Sequence, residues 1–138
     1  MIGKHILLTL LVGGAIGDLL WRHSPQVWTA LRVTGMGLVV VGFALWTVAR
    51  FQLGASFAVK AEARHLVTQG LYSKIRNPIY VFGSWVLAGG ILAFGKPAWL
   101  LIFVVLIPLQ IWRARKESGV LETAFGDEYR RYRAGTWF

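Results

Sequence analysis

Charged residues are confined to a few short stretches of this 138-residue chain, and long apolar runs lie between them. The four main runs cover 6–21, 27–49, 79–94 and 98–112. Hydrophobic residues make up 56% of the sequence and charged residues 15%, which is more apolar surface than a soluble domain of this size could bury. We therefore predict an all-α polytopic membrane protein with four transmembrane helices, forming one domain over residues 1–138.

Several of the runs are shorter than the roughly 20 residues that span a bilayer. They can reach across it only with aromatic and basic anchors at their ends. Aromatic residues at suitable depths are Trp21, Trp28, Tyr80, Trp99 and Trp112. The sequence Gly95-Lys96-Pro97 predicts a tight turn that joins the last two runs into a helical hairpin.

The positions of the basic residues predict the orientation. Twelve of the 15 Lys and Arg residues fall on one side of a four-span arrangement, and only Arg22, Arg32 and Lys96 fall on the other. The positive-inside rule then places both termini and the 51–78 connection in the cytoplasm. The small size and the absence of a eukaryotic targeting signal favour a bacterial inner membrane.

The tail after Arg113 is expected to leave the membrane as a helix. Its residues repeat at spacings of four and three, as on one helical face. They are Glu117, Leu121, Phe125, Tyr129 and Tyr132. We expect this cytoplasmic C-terminal helix to pack over the 51–78 connection.

Two classes of partner or chemistry are disfavoured. The net charge of +9 could suggest nucleic acid, but the basic residues lie at helix ends, where anionic lipid head groups are the expected neighbours. The chain has no cysteine, so it offers no disulfide and no thiol nucleophile, and its residues suggest no metal site.

Small and acidic residues inside the runs predict how the helices pack. Gly13 and Gly17 form a G-x-x-x-G pair, and further glycines punctuate the second run, so the helices can approach closely within the chain. Asp18 is expected to face the bundle interior, with Arg22 or Arg32 as its partner.

Two polar clusters remain after the runs are assigned, and both are predicted to be cytoplasmic. The first reads LVTQGLYSKIRNPIYVFG over 66–83. The second begins with Glu117-Ser118 and continues through Phe125-Gly126 to Tyr129 and Tyr132.

In the order and spacing of these clusters, residues 50–138 resemble the isoprenylcysteine carboxyl methyltransferase and phospholipid methyltransferase superfamily of membrane enzymes. The first two runs match only in being apolar. The resemblance implies two N-terminal spans over 1–50 and a cofactor-binding core over 51–138. It implies S-adenosylmethionine as the cofactor and a lipid-like or amphipathic methyl acceptor. The identity of the acceptor and the oligomeric state stay open.

The resemblance also implies a set of site residues, with Arg76 and Glu117 as the catalytic candidates. The cofactor-binding candidates are Gly70, Tyr72, Arg76, Asn77, Pro78, Tyr80, Gly83, Glu117, Ser118 and Tyr129. Two positions depart from the family pattern. Asn77 stands where His is usual, which removes a titrating imidazole, and Ser118 stands where a second Glu is usual, which removes a negative charge.

Each main candidate also has a structural interpretation. Glu117 could instead pair with Arg113 one turn away on a helix. Arg76 could bind either a lipid phosphate or the carboxylate of the cofactor. Pro78 at a helix start, with Asn77 as the N-cap, is expected on structural grounds alone.

Two alternative functions fit parts of the sequence. A membrane sterol reductase would carry a similar Arg-His-Pro segment and use NADPH, but Glu117 and the Phe125-Gly126 tail fit the methyltransferase pattern better. The departures at Asn77 and Ser118 motivate the other alternative, a non-catalytic membrane protein with the same fold.

Overall fold

The computed structural model describes residues 2–22, 29–54 and 66–137, and every regular element in these ranges is a helix. The described residues form five α-helices and two short 3₁₀ helices. In chain order they are α1 (Ile2–Arg22), α2 (Ala30–Leu53), a 3₁₀ helix (Gly70–Ser73), α3 (Pro78–Ala93), a 3₁₀ helix (Pro97–Ile102), α4 (Phe103–Phe125) and α5 (Asp127–Ala134). The all-α architecture predicted from the sequence is confirmed.

Three helical stretches are long and apolar enough to cross a membrane: Gly3–Arg22, Ala30–Leu53 and Pro97–Phe125. The fourth apolar helix, Pro78–Ala93, has 16 residues. At about 1.5 Å per residue it is roughly 24 Å long, shorter than the hydrocarbon core, as its short apolar run predicts. The chain is an all-α polytopic membrane protein.

Glycines allow the backbones of α2 and α3 to contact each other directly. A Cβ atom at Gly35 would lie 2.6 Å from the carbonyl oxygen of Gly89, and one at Gly89 would lie 2.6 Å from that of Gly35. A Cβ atom at Gly42 would lie 3.0 Å from the Trp85 Cβ and 3.1 Å from the backbone nitrogen of Val86. The predicted close packing within the chain is therefore confirmed at these positions, although a Cβ at Gly17 would have no neighbour within 4 Å.

The predicted hairpin between α3 and α4 is present. Gly95 adopts a φ of +70°, which disfavours side chains, and the Arg32 guanidinium lies 2.9 Å from where its Cβ would be. The chain then enters the 3₁₀ helix at Pro97 and reverses direction into α4. A hydrogen bond of 3.1 Å from Ser84 Oγ to Gln110 Oε1 joins the two antiparallel helices.

The expectation of one continuous C-terminal helix is wrong. α4 runs on to Phe125, as the spacing predicts, but Gly126 has a φ of +56° and ends it. α5 starts at Asp127 as a separate helix. The predicted contact with the preceding connection is present in its described part, because the Tyr132 hydroxyl donates to the Tyr72 carbonyl at 2.7 Å.

Asp18 pairs with Arg22 at 2.9 Å, which confirms the first of its two predicted partners. Its predicted position facing the bundle interior is wrong, since its side chain is 54% exposed. The reason is that α1 contributes no buried residue from its spanning stretch. Of the predicted interfacial tryptophans, Trp21, Trp99 and Trp112 are exposed. Trp28 and the 55–65 part of the connection lie outside the described residues.

Candidate active site

The hairpin brings one residue from each polar cluster into direct contact. The Tyr80 hydroxyl, in the first turn of α3, donates a hydrogen bond to the Glu117 carboxylate on α4. The Arg113 guanidinium lies 5.9 Å from the centre of the Tyr80 ring. The structure records no ion pair between Arg113 and Glu117, both of which are described. Glu117 therefore faces α3, although its carboxylate remains exposed.

The start of α3 fixes where Tyr80 lies. Pro78 occupies the first helical position and is fully buried. The Asn77 carbonyl accepts from the backbone N–H groups of Tyr80 and Val81, at 3.1 and 3.2 Å. Asn77 is at the predicted N-cap position, but its side chain makes no capping hydrogen bond. Its amide is thus available for another partner.

Arg76 precedes this helix start and is half-buried. Its Nε is buried and has no hydrogen-bond partner in the part of the chain that the structure describes. A buried guanidinium donor without a partner is costly, and a carboxylate or phosphate would satisfy it. The geometry therefore allows either of the two anions considered for Arg76.

Gly70 has a structural role at the start of the 3₁₀ helix. Its φ is +62°, and the Gln52 carboxamide fills the space that a side chain would need. Gln52 Oε1 also accepts from the Leu71 backbone N–H at 2.9 Å. These contacts attach the first polar cluster to the end of α2.

Tyr72 of the first cluster and Tyr129 and Tyr132 of the second form a group of three tyrosines. Tyr72 is 5% exposed and Tyr129 is 1% exposed, while the Tyr129 and Tyr132 rings lie 6.1 Å apart. Burial raises the pKa of Tyr132 to about 12, Tyr129 adds to the rise, and the positive charge of Arg76 opposes it. Burial, then Tyr132 and Glu117, raise the pKa of Tyr72 as well. Tyr72 and Tyr132 therefore favour the neutral phenol, and the Tyr132 hydroxyl docks α5 through its hydrogen bond to the Tyr72 carbonyl.

The remaining candidates lie apart from the Tyr80–Glu117 contact. The Cβ position of Gly83 is 3.6 Å from Cδ1 of Trp46, so Gly83 faces α2. Ser118 is half-buried on α4, and its hydroxyl makes no hydrogen bond within the described residues. The structure thus joins Tyr80 to Glu117 and places Tyr72 near Glu117, while Arg76 lies near Tyr132. It gives Gly70, Gly83 and Tyr129 packing positions.

Sequence reasoning missed several polar residues near the site. Ser84 and Gln110 are polar residues within apolar runs. A polar residue in such a run often bonds to a neighbouring helix, so the sequence did contain a signal for this contact. Arg50 was counted only as a cytoplasmic charge, yet it is 6% exposed. Its guanidinium lies 4.7 Å from the Trp46 ring centre and 3.3 Å from His5 Nδ1. No signal in the sequence predicted that burial.

Among the described residues, no three His, Asp or Glu side chains cluster as metal ligands would. The site is instead a carboxylate, a guanidinium and several hydrogen-bonding groups at one end of a helical hairpin. Fold and site together define a polytopic membrane protein with a cluster of polar side chains where α3 begins and α4 leaves the apolar region.

Comparison with known proteins identifies the family. Residues 26–128 match the phospholipid methyltransferase family, and the chain belongs to it. A protein-S-isoprenylcysteine O-methyltransferase of Schizosaccharomyces pombe is 33% identical over 113 residues, covering 78% of this chain and 48% of the relative. The human protein of the same name is 31% identical over 126 residues, covering 84% and 43%. The chain spans about half the length of these curated relatives. No solved structure matches it significantly.

Proposed function

We propose that this chain is an S-adenosylmethionine-dependent methyltransferase that acts at the cytoplasmic membrane face on a lipid-like or amphipathic acceptor. The observation that carries the proposal is the hydrogen bond between Tyr80 and Glu117. It joins the two polar clusters of a chain that belongs to the phospholipid methyltransferase family. Two relatives carry the name of an O-methyltransferase.

The residues present fit the cofactor. Its amino-acid part carries a carboxylate and an ammonium group, and its ribose carries hydroxyls. Arg76 has a buried guanidinium nitrogen without a hydrogen-bond partner in the described chain, which suits the carboxylate. Glu117 has an exposed carboxylate, which suits the ammonium group or the ribose hydroxyls. The side-chain amide of Asn77, which makes no capping hydrogen bond, and the hydroxyl of Ser118 are further donors and acceptors. They neighbour Arg76 and Glu117 in the sequence.

When bound, S-adenosylmethionine would supply a methyl group carried on its sulfonium. An acceptor oxygen, nitrogen or sulfur would bond to the methyl carbon in line with the breaking carbon–sulfur bond, and the sulfur would leave as a neutral thioether. The chain's own task is then to position two reactants and to exclude water. The neutral Tyr80 hydroxyl holds the Glu117 carboxylate in one orientation, and Arg76 neutralises an anion. Neither a protein nucleophile nor a metal is needed for this role.

Open apolar surface supports a lipid-like acceptor. The sides of α4 away from α3 are strongly exposed, with Val104 at 70% and Val105 at 71%. An amphipathic molecule can therefore approach the hairpin from within the bilayer while its polar end reaches the level of Glu117. The relatives' name refers to an isoprenylated cysteine, which is one acceptor of this kind.

The test is S-adenosylmethionine binding to the folded protein in lipid nanodiscs, measured by calorimetry. We expect saturable binding that weakens roughly 10-fold or more in Glu117→Ala and in Arg76→Ala, as for a lost hydrogen bond to a charged group. Glu128→Ala and Arg131→Ala are matched controls, because both side chains are exposed on α5. They should bind like the wild type.

Two results would overturn the proposal. One is the absence of binding in a protein whose helicity and cooperative unfolding show that it is folded. The other is binding that Glu117→Ala and Glu128→Ala leave equally strong. Preferential stabilisation by NADPH in the same samples would point to reductase chemistry instead.

A further inference from the structure

The position of α4 is weakly fixed by packing, although this helix carries Glu117. None of the residues of α4, all of which are described, is buried. In contrast, α2 and α3 meet backbone to backbone at Gly35 and Gly89. Lipid tails are as apolar as leucine, so the exposed apolar face of α4 provides no force that would hold it against α3. Something else must set its register.

Two groups of polar contacts join α3 and α4. The first group is Tyr80 with Glu117 and Arg113. The second lies deeper in the apolar region, where Ser84 Oγ is 3.1 Å from Gln110 Oε1. Ser84 Oγ also lies 2.8 Å from the Tyr80 carbonyl oxygen, so its one proton is shared between two acceptors.

The two groups of contacts lie on the same faces of the helices. Ser84 follows Tyr80 by four residues, which is about one turn. Gln110 precedes Glu117 by seven residues, which is about two turns. The hydrogen bond between Ser84 and Gln110 therefore restrains both the rotation and the sliding of α4 that would separate Glu117 from Tyr80.

We propose that Ser84 and Gln110 are positioning residues, whose hydrogen bond holds α4 in the register at which Glu117 reaches Tyr80. The inference rests on the proposed function for its role in catalysis. Neither residue need touch the cofactor or the acceptor. They act through the placement of Glu117, and a carboxamide inside an apolar run is the cost of that placement.

The first test is a double-mutant cycle on S-adenosylmethionine binding. We expect Ser84→Ala to weaken binding about threefold, the equivalent of the ~0.6 kcal/mol that hydrogen bonds between membrane helices average. In a Glu117→Ala background the same change should have no further effect, because the residue it positions is gone. Ser84→Thr keeps the hydroxyl and should restore binding.

Thr34→Val is the matched control. The Thr34 hydroxyl donates to the Ala30 carbonyl of its own helix at 2.8 Å. The substitution therefore removes a hydroxyl from a membrane-spanning helix without removing a contact between two helices. It should bind like the wild type. A loss in Ser84→Ala that is equally large with and without Glu117, or no loss at all, would overturn the inference.

A second measurement does not need the cofactor. The chain has no cysteine, so cysteines introduced at the exposed Leu87 on α3 and Leu109 on α4 can carry spin labels. We expect Gln110→Met to broaden the distance distribution between the labels, and Thr34→Val to leave it unchanged. If the wild type fails to bind S-adenosylmethionine, the proposed function fails, and these distances alone decide the register. An unchanged distribution in Gln110→Met would overturn the inference.

Discussion

The Tyr80 hydroxyl donates to the Glu117 carboxylate across 37 residues of sequence, from the first turn of α3 to the outer half of α4. The contact gives Glu117 a neutral partner. Its negative charge is therefore oriented by the phenol and remains available to a cationic or hydroxyl-bearing ligand. An ion pair with Arg113 would have cancelled that charge.

Replacing Tyr80 by Phe should show how much the orientation of the Glu117 carboxylate contributes to binding, apart from its charge. The variant keeps the carboxylate but loses one hydrogen bond to it, so we expect S-adenosylmethionine binding to weaken by roughly 3- to 10-fold, less than in Glu117→Ala. Calorimetry in nanodiscs measures the difference. Ser73→Ala removes a hydroxyl that donates to the nearby Gly70 carbonyl, and it should behave like the wild type. Equal affinity in Tyr80→Phe and the wild type would contradict an orienting role.

The glycine contact between α2 and α3 predicts a stability difference between adjacent positions. A methyl group at Gly89 would meet backbone atoms of α2 at 2.6 to 2.8 Å, whereas Gly90 has nothing within 4 Å. We expect Gly89→Ala to lower the free energy of unfolding by roughly 1–3 kcal/mol, as overpacking does. Gly90→Ala should be neutral or slightly stabilising, since Ala favours a helix over Gly. Thermal unfolding of both variants in detergent checks this, and similar midpoints would argue against the packing described.

Local signals in the sequence predicted much of the fold. The apolar runs marked the helices, and Pro78 marked the start of α3 because its fixed φ suits the first helical position. The break at Gly126 was missed for an equally physical reason. The spacing of four from Phe125 to Tyr129 continues across it, and a glycine can sit within a helix or end one through a positive φ. Only the three-dimensional path of the chain selects between these.

The site was harder to predict in detail than in outline. The family resemblance implied that residues of both clusters form one site, and Glu117 does contact Tyr80. Its partner could not be read from the sequence, since Arg113 is one helical turn away and Tyr80 is distant. The half-buried Ser84–Gln110 contact and the buried Arg50 likewise depend on helix rotation, which periodicity constrains poorly in runs that are apolar on all sides.

The docking of α5 should depend on pH through Tyr132. The pKa of its hydroxyl is raised from 10 to about 12 in the folded protein, so the folded state favours the neutral phenol. Its contribution to stability is complete below pH 10 and is lost as the pH rises from 10 to 12. At pH 8, Tyr132→Phe should be less stable by about 1 kcal/mol, because it lacks the hydrogen bond to the Tyr72 carbonyl.

The gap in stability between the wild type and Tyr132→Phe should then narrow between pH 10 and 12. Thermal unfolding of the two proteins across this range measures it. Titration of the lysines affects both proteins alike. Because the raised pKa of Tyr72 depends partly on Tyr132, both proteins carry Tyr72→Phe, and the difference between them then isolates Tyr132. A gap that stays constant to pH 12 would contradict the neutral, hydrogen-bonded phenol.

The orientation of the chain is the remaining prediction, because a cytoplasmic donor requires a cytoplasmic site. In the predicted four-span arrangement, twelve of the 15 Lys and Arg residues fall on the side of the termini, and that excess predicts a cytoplasmic C-terminus. In a bacterial host, a fluorescent protein fused after Phe138 should fluoresce, and alkaline phosphatase fused there should be inactive. Insertion of the phosphatase at Lys96, in the turn of the hairpin, should give activity. The opposite pattern would put Arg76 and Glu117 on the far side of the membrane from the cytoplasmic S-adenosylmethionine, and the proposed methyl transfer could not occur there.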